Sequence, residues 1–123
     1  MTTISLEQMA IYKATARRRA AKRKAELDDR FDRAWATARR ASALLKKRFG
    51  ADQVMVFGSL LERRLFHAHS DIDLAAWGIP EHAYLKAAGA VLDLDPGFSV
   101  DLVRMEEAHK SIRTIIEDEG RTL

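Results

Sequence analysis

Three carboxylates and a Gly-Ser turn hold most of the chemistry in this chain. Asp71 and Asp73 flank Ile72, and in an extended strand, where side chains alternate, both carboxylates leave the same face about 7 Å apart. Two unpaired carboxylates on one face repel each other, so the pair makes best sense beside a divalent cation. Asp101 stands in an otherwise apolar run of Val100, Leu102 and Val103, where burying an unpaired carboxylate is costly and a cation or a donor is required. If the two strands are neighbours, Asp101 becomes a third oxygen ligand. Upstream, the apolar run from Val54 to Phe57 stops at Gly58-Ser59, as a buried strand does when it feeds a turn and a helix. Backbone N–H groups at such a turn, with a small hydroxyl, suit a phosphate. The combination points to magnesium and a nucleoside triphosphate. Taken alone, the Asp71/Asp73 pair also fits solvated strand-end carboxylates or helix caps.

Positioning these groups falls to a short series of strands and helices behind one long helix. Ser5-Leu6-Glu7-Gln8 fits a capping box, and from there to Phe49 the chain has neither Gly nor Pro. Leu27, Phe31, Ala34, Trp35, Ala38, Ala41 and Leu45 recur every three or four residues, a stripe that should pack on the core. Gly50 suits the helix stop, with Lys46, Lys47 and Arg48 in the last turn. The part from Leu6 to Ala25 has only a thin stripe, Leu6, Met9, Tyr12 and Ala16, beside Arg17, Arg18, Arg19, Lys22, Arg23 and Lys24. It fits a solvated helix face, a surface for a protein partner or a second copy, or a nucleic-acid contact.

Further along, the pattern predicts a short helix from Ser59 to Leu65, a loop over residues 66–70 and a second strand from Asp71 to Trp77. Pro80 suits the first position of a helix over Glu81 to Leu92, and Asp95-Pro96-Gly97 reads as a turn. A third strand follows from Phe98 to Arg104, then a helix from Glu106 to Glu119 whose apolar face is Ile112, Ile115 and Ile116. His67 and His69 fit a transition-metal pair or a nucleotide contact, and equally an ordinary loop. Trp35 and Trp77 fall on apolar positions and suit core packing better than base stacking.

Composition narrows the field. With 123 residues, 47% hydrophobic and 32% charged, the chain suits one soluble domain. It has no cysteine, which removes disulfides and thiolate metal sites. No apolar run approaches the roughly 20 residues of a membrane span, and no secretory signal pattern is present, so the cytoplasm is expected. Charge is divided unevenly: residues 1–50 hold 14 Lys/Arg against 5 Asp/Glu, a balance of +9, and the remainder 7 against 13, or −6. An acidic half attracts cations, while the basic arm suits an acidic protein surface or a nucleic acid.

The hydrophobic-Phe57-Gly58-Ser59 turn, the ten-to-eleven-residue spacer, Ser70-Asp71-Ile72-Asp73-Leu74 and the later Val100-Asp101-Leu102 together resemble the polymerase-β-type nucleotidyltransferases. Within them the chain is most similar to the minimal stand-alone domains encoded beside HEPN-domain toxins. The resemblance covers about Gln53 to the C-terminus. It implies an α+β nucleotidyltransferase fold, a small mixed sheet with the three Asp residues on one face and flanking helices, with residues 51–123 as the minimal domain and 1–50 as a basic helical region packed on it. By resemblance, Asp71, Asp73 and Asp101 bind two magnesium ions, and Gly58, Ser59 and Ser70 contact the nucleotide. The implied activity is transfer of AMP from ATP to a hydroxyl, a tyrosine of the HEPN partner, which makes the chain an antitoxin. The departures from the family are Glu62 where relatives often carry Arg and Arg63 where they carry Gly. They keep two alternatives open: an antitoxin that inhibits a HEPN ribonuclease by binding alone, and, more distantly, a nucleic-acid adaptor. Self-association through the N-terminal helix fits either antitoxin.

Overall fold

The computed structural model describes residues 3–123. A single helix, α1 (Leu6–Phe49), opens the chain; the Ser5 hydroxyl accepts from the Gln8 N–H at 3.1 Å, and the Gln8 side chain accepts from the Ser5 N–H at 2.9 Å, the expected capping box. Gly50, at φ +76°, ends it in the left-handed conformation that glycine tolerates. Then follow β1 (Gln53–Phe57), two 3₁₀ turns (Gly58–Leu61 and Arg63–Leu65), β2 (Ile72–Trp77), α2 (Tyr84–Leu92), β3 (Val100–Arg104), α3 (Lys110–Glu119) and the two-residue β4 (Arg121–Thr122). The sheet order is β3-β2-β1-β4, with β2 and β3 parallel and β1 antiparallel to both β2 and β4, so the sheet is mixed as expected.

Alternation of side chains gives the sheet two apolar faces. On one, Val54, Val56, Ile72, Leu74, Val100 and Leu102 form a cluster with Ala34, Ala38, Ala41 and Leu45 of α1 and Ala87 and Val91 of α2. On the other, Ala75 packs with Met105 and Ile116, flanked by Met55, Phe57, Trp77 and Val103. Strand β2 is therefore covered on both sides, which explains why Leu74-Ala75-Ala76 is continuously apolar and buried. The apolar stripe of α1 reaches the core from Leu27 onward, whereas Leu6 and Tyr12 are 89% and 75% exposed. The first half of α1 thus projects as an arm, helical through its alanines and its cap more than through packing.

Several boundaries differ from the sequence pattern. The expected helix from Ser59 to Leu65 is two 3₁₀ turns, because the Glu62 N–H closes on the Ser59 carbonyl at 3.2 Å and Glu62 itself is extended. Strand β2 begins at Ile72, which leaves Asp71 in the preceding loop, and β3 begins at Val100, after the Phe98 and Ser99 residues assigned to it from the sequence. Pro80 precedes a 3₁₀ turn (Glu81–Ala83) that leads into α2, and α3 starts four residues late, after another 3₁₀ turn at Met105–Glu107. Of the predicted apolar face of α3, only Ile116 is buried; Ile112 and Ile115 are 43% and 53% exposed. Trp35 and Trp77 pack against the two clusters, as expected for core residues.

Candidate active site

The carboxylates and the Gly-Ser turn gather at one end of the sheet, where β1 ends and β2 and β3 begin. Asp73 is the register partner of Phe57 on β1 and of Asp101 on β3. Residues paired in register share a face, so Asp73 and Asp101 stand side by side, about one strand spacing, roughly 5 Å, apart. Asp71 lies in the loop just ahead, exposed, and close enough for its charge to act on Asp73. Asp101 is exposed as well, contrary to the expectation of a carboxylate buried in an apolar strand. Its apolar neighbours Val100 and Leu102 turn to the opposite, buried face, so the strand hides them and leaves the carboxylate in solvent.

Gly58 has φ +78°, and a Cβ placed on it would run into the Asp73 carboxylate. Only glycine therefore lets this backbone turn close against the central carboxylate. Phe57, Gly58, Ser59, Leu61, Glu62, Leu65, Ile115 and Glu119 line an open cleft of about 540 Å³ at that turn. The cleft accounts for the exposure of Ile115, which is one of its walls.

Electrostatically the row is unbalanced. Burial first, then the charges of Asp101 and Asp71, push the Asp73 carboxyl from 3.8 up to about 6. Among the described residues no Lys or Arg pairs with Asp71, Asp73 or Asp101. The two arginines beside the turn are engaged elsewhere: Arg64 bonds Glu62 at 2.6 Å, while Arg63 reaches Asp28 of α1 at 3.3 Å and lies over the Phe31 ring. Hard, unneutralised oxygen donors in adjacent positions fit magnesium, which keeps several waters and binds through one or two carboxylates plus substrate phosphates. No group of three or more His, Cys, Asp or Glu side chains among the described residues is arranged as a ready cage for a metal.

The loop before Asp71 has a structural task of its own. Ser70 is buried, and its hydroxyl accepts from the His67 N–H at 2.8 Å. Nδ1 of His67 accepts from the His69 N–H at 3.1 Å, so one imidazole nitrogen of the His67/His69 pair is occupied within the loop. Ser70 thus holds the turn that presents Asp71. One contributor carried no signal in the sequence, where it is one of many arginines on a basic helix: Arg30 of α1. Its guanidinium donates to the Gly97 carbonyl at 2.9 Å and the Ser70 carbonyl at 3.5 Å, and rests 4.2 Å above the Phe98 ring.

Residues 40–123 match the family described as Polymerase beta, Nucleotidyltransferase, and the chain belongs to that family. A solved structure with a similar fold is described as a crystal structure of the toxin-antitoxin with AMP-PNP: TM-score 0.56, 23% identity, covering 65% of this chain and 66% of that one. The likeness is one of fold. No curated protein matches the chain. The family match begins within α1, so the arm lies outside it.

Proposed function

We propose that the chain is a magnesium-dependent nucleotidyltransferase that moves AMP from ATP to a hydroxyl of a protein partner, as the antitoxin of a toxin–antitoxin pair. The observation that carries this is the in-register placement of Asp73 beside Asp101, with Gly58 closed against Asp73. Asp71, Asp73 and Asp101 are assigned to magnesium, the Gly58-Ser59 backbone and hydroxyl to the phosphates, and Ser70 to holding the loop at the nucleotide's edge. Magnesium bound there would screen the triphosphate charge and lower the pKa of the attacking hydroxyl. The chain's own residues then orient the donor. The turn at Gly58 fixes the phosphates, so that the hydroxyl oxygen, its proton passing to solvent, bonds the α-phosphorus as the bond from that phosphorus to the bridging oxygen breaks and pyrophosphate leaves.

The acceptor is a tyrosine hydroxyl of a HEPN-domain ribonuclease, the partner implied by the family resemblance. A toxin-antitoxin with AMP-PNP as a neighbour in fold supports a protein partner and a nucleotide, without naming the acceptor. One added AMP places a charge and a base where RNA must bind, so inhibition outlasts the complex. The arm's exposed Leu6, Met9, Ile11 and Tyr12 suit contact with the partner or with a second copy better than contact with nucleic acid, which would need little beyond the positive charge. Incubation with the purified HEPN partner, ATP and magnesium should raise the partner's mass by whole AMP units, and Asp73→Asn should abolish the gain. A second reading rests on Glu62, which lines the cleft beside the phosphate turn, its carboxylate paired with Arg64. If the partner is neutralised at unchanged mass, and equally by Asp73→Asn, the chain is an antitoxin by binding alone.

A further inference from the structure

The carboxylate row has an unusual dependence on the long helix. The strand ladder fixes Asp73 against Asp101, but Asp71 lies outside it, between the loop that ends at Ser70 and the first residue of β2. The segment leading into β3 is likewise irregular, tied to the first residue of β2 by the Ile72 N–H donating to the Ser99 carbonyl at 2.9 Å. Like charges at the mouths of two adjacent strands push these loops apart. Arg30 is the side chain that reaches both. Nη1 donates to the Gly97 carbonyl at 2.9 Å and Nη2 to the Ser70 carbonyl, one residue before Asp71, at 3.5 Å, while the guanidinium carbon lies 4.2 Å from the centroid of the buried Phe98 ring. The planar fork lets one arginine serve two carbonyls and a ring at once, which a lysine ammonium cannot do.

We infer that Arg30 is a positioning residue of the metal–nucleotide site, a staple from α1 that sets the separation between the Asp71 loop and the Asp101 strand. The inference rests on the proposed function, since it concerns how well that site takes a divalent cation. It makes α1 part of the active site, although no atom of α1 is assigned to the ion or the nucleotide. Asp95 supports the same segment from the other side: its carboxylate accepts from the Gly97 N–H at 2.8 Å and from the Thr37 hydroxyl of α1 at 3.1 Å. The loop before β3 is thus held to α1 by Arg30, by Thr37 and by Arg33, which lies 4.0 Å from the Asp95 carboxylate. Helix α1 also meets the connection before β2 through Phe31 on Phe66 and Asp28 on Arg63, but among the described residues it is Arg30 that hydrogen-bonds the carbonyls of both loops.

Titration of the full chain with Mn²⁺, followed by the loss of the free-ion paramagnetic resonance signal, reads the site without any partner or turnover. Arg30→Met keeps an apolar stem over Phe98 but loses both carbonyl bonds, and should weaken Mn²⁺ about tenfold. Arg30→Lys keeps the charge and reaches one carbonyl, and should fall between the two. It also guards against loss of fold in the methionine variant, with cooperative urea unfolding as the check on both. Wild-type affinity in Arg30→Met and Arg30→Lys, with binding lost in Asp73→Asn, would overturn the staple and leave the site intact. Undiminished binding in Asp73→Asn would overturn the assignment of the carboxylates instead, whatever the Arg30 variants do.

Discussion

Burial and two neighbouring carboxylates hold the Asp73 carboxyl at about 6 against an ordinary 3.8, so the native state takes up a proton more readily than the unfolded chain. Below pH 3.8 the group is neutral in both states and carries no penalty; between there and about 6 the penalty grows, and above 6 it is fully present. Asp73→Asn should therefore stabilise the metal-free protein at pH 7.5 by about 1–2 kcal/mol, after allowance for solvent screening, and the gain should vanish near pH 3.5. Urea unfolding at the two pH values checks this. Equal stability of the two proteins at pH 7.5 would contradict it. That Asp101 leaves its strand on the face opposite Val100 and Leu102 was legible in the sequence through alternation, but its placement beside Asp73 was legible only on condition that the two strands are neighbours, which the sheet order supplies. The exposure of Asp101 was not, since an Asp between apolar residues looks the same whether its own face is packed or open. Ser70 was singled out from the sequence as a nucleotide contact, but its hydroxyl's bond to the His67 N–H was not read there, and Arg30 escaped because its task depends on loop carbonyls brought close only by the tertiary fold.

At the scale of elements, α1 is two things under one backbone. Its second half is core, with Ala34, Ala38, Ala41 and Leu45 fully buried, and its first half is solvated, with Ile11 67% exposed. Leu45→Ala should cost about 2–4 kcal/mol, whereas Met9→Ala should stay within about 0.5 kcal/mol. Removal of residues 1–25 should leave the thermal midpoint within a few degrees while changing the sedimentation of the protein alone or with its partner. An arm deletion that unfolds the domain would show that the arm carries stability after all. The ends of α1 were legible because Ser5, Gln8 and Gly50 act locally, through capping bonds and one left-handed residue. The 3₁₀ turns were not, because they differ from a helix by hydrogen-bond partners one residue apart, which periodicity does not resolve. The two-residue β4, which pairs with Met55 and Val56, is too short to show any alternation. Ile115 matched the core pattern of α3 but lines a cleft, and an apolar period alone does not distinguish a core face from a binding face.

Across the whole molecule, a basic helix is joined to an acidic body that collects its carboxylates at one end of a four-stranded mixed sheet. Two of the chain's three carboxylate positions are set by the strand ladder, the third by a loop that α1 pins, and the glycine turn closes on the central one. No helix among the described residues is long and apolar enough to cross a membrane. The proposed function, binding of a triphosphate through a divalent cation, uses the carboxylates, the glycine turn and the α1 contact together. Calorimetric titration of the full chain with ATP, with and without magnesium, tests that most directly. Binding is predicted to require magnesium, to disappear on chelation, and to weaken at least tenfold in Asp73→Asn. ATP binding of equal affinity without magnesium, retained in Asp73→Asn, would contradict the account.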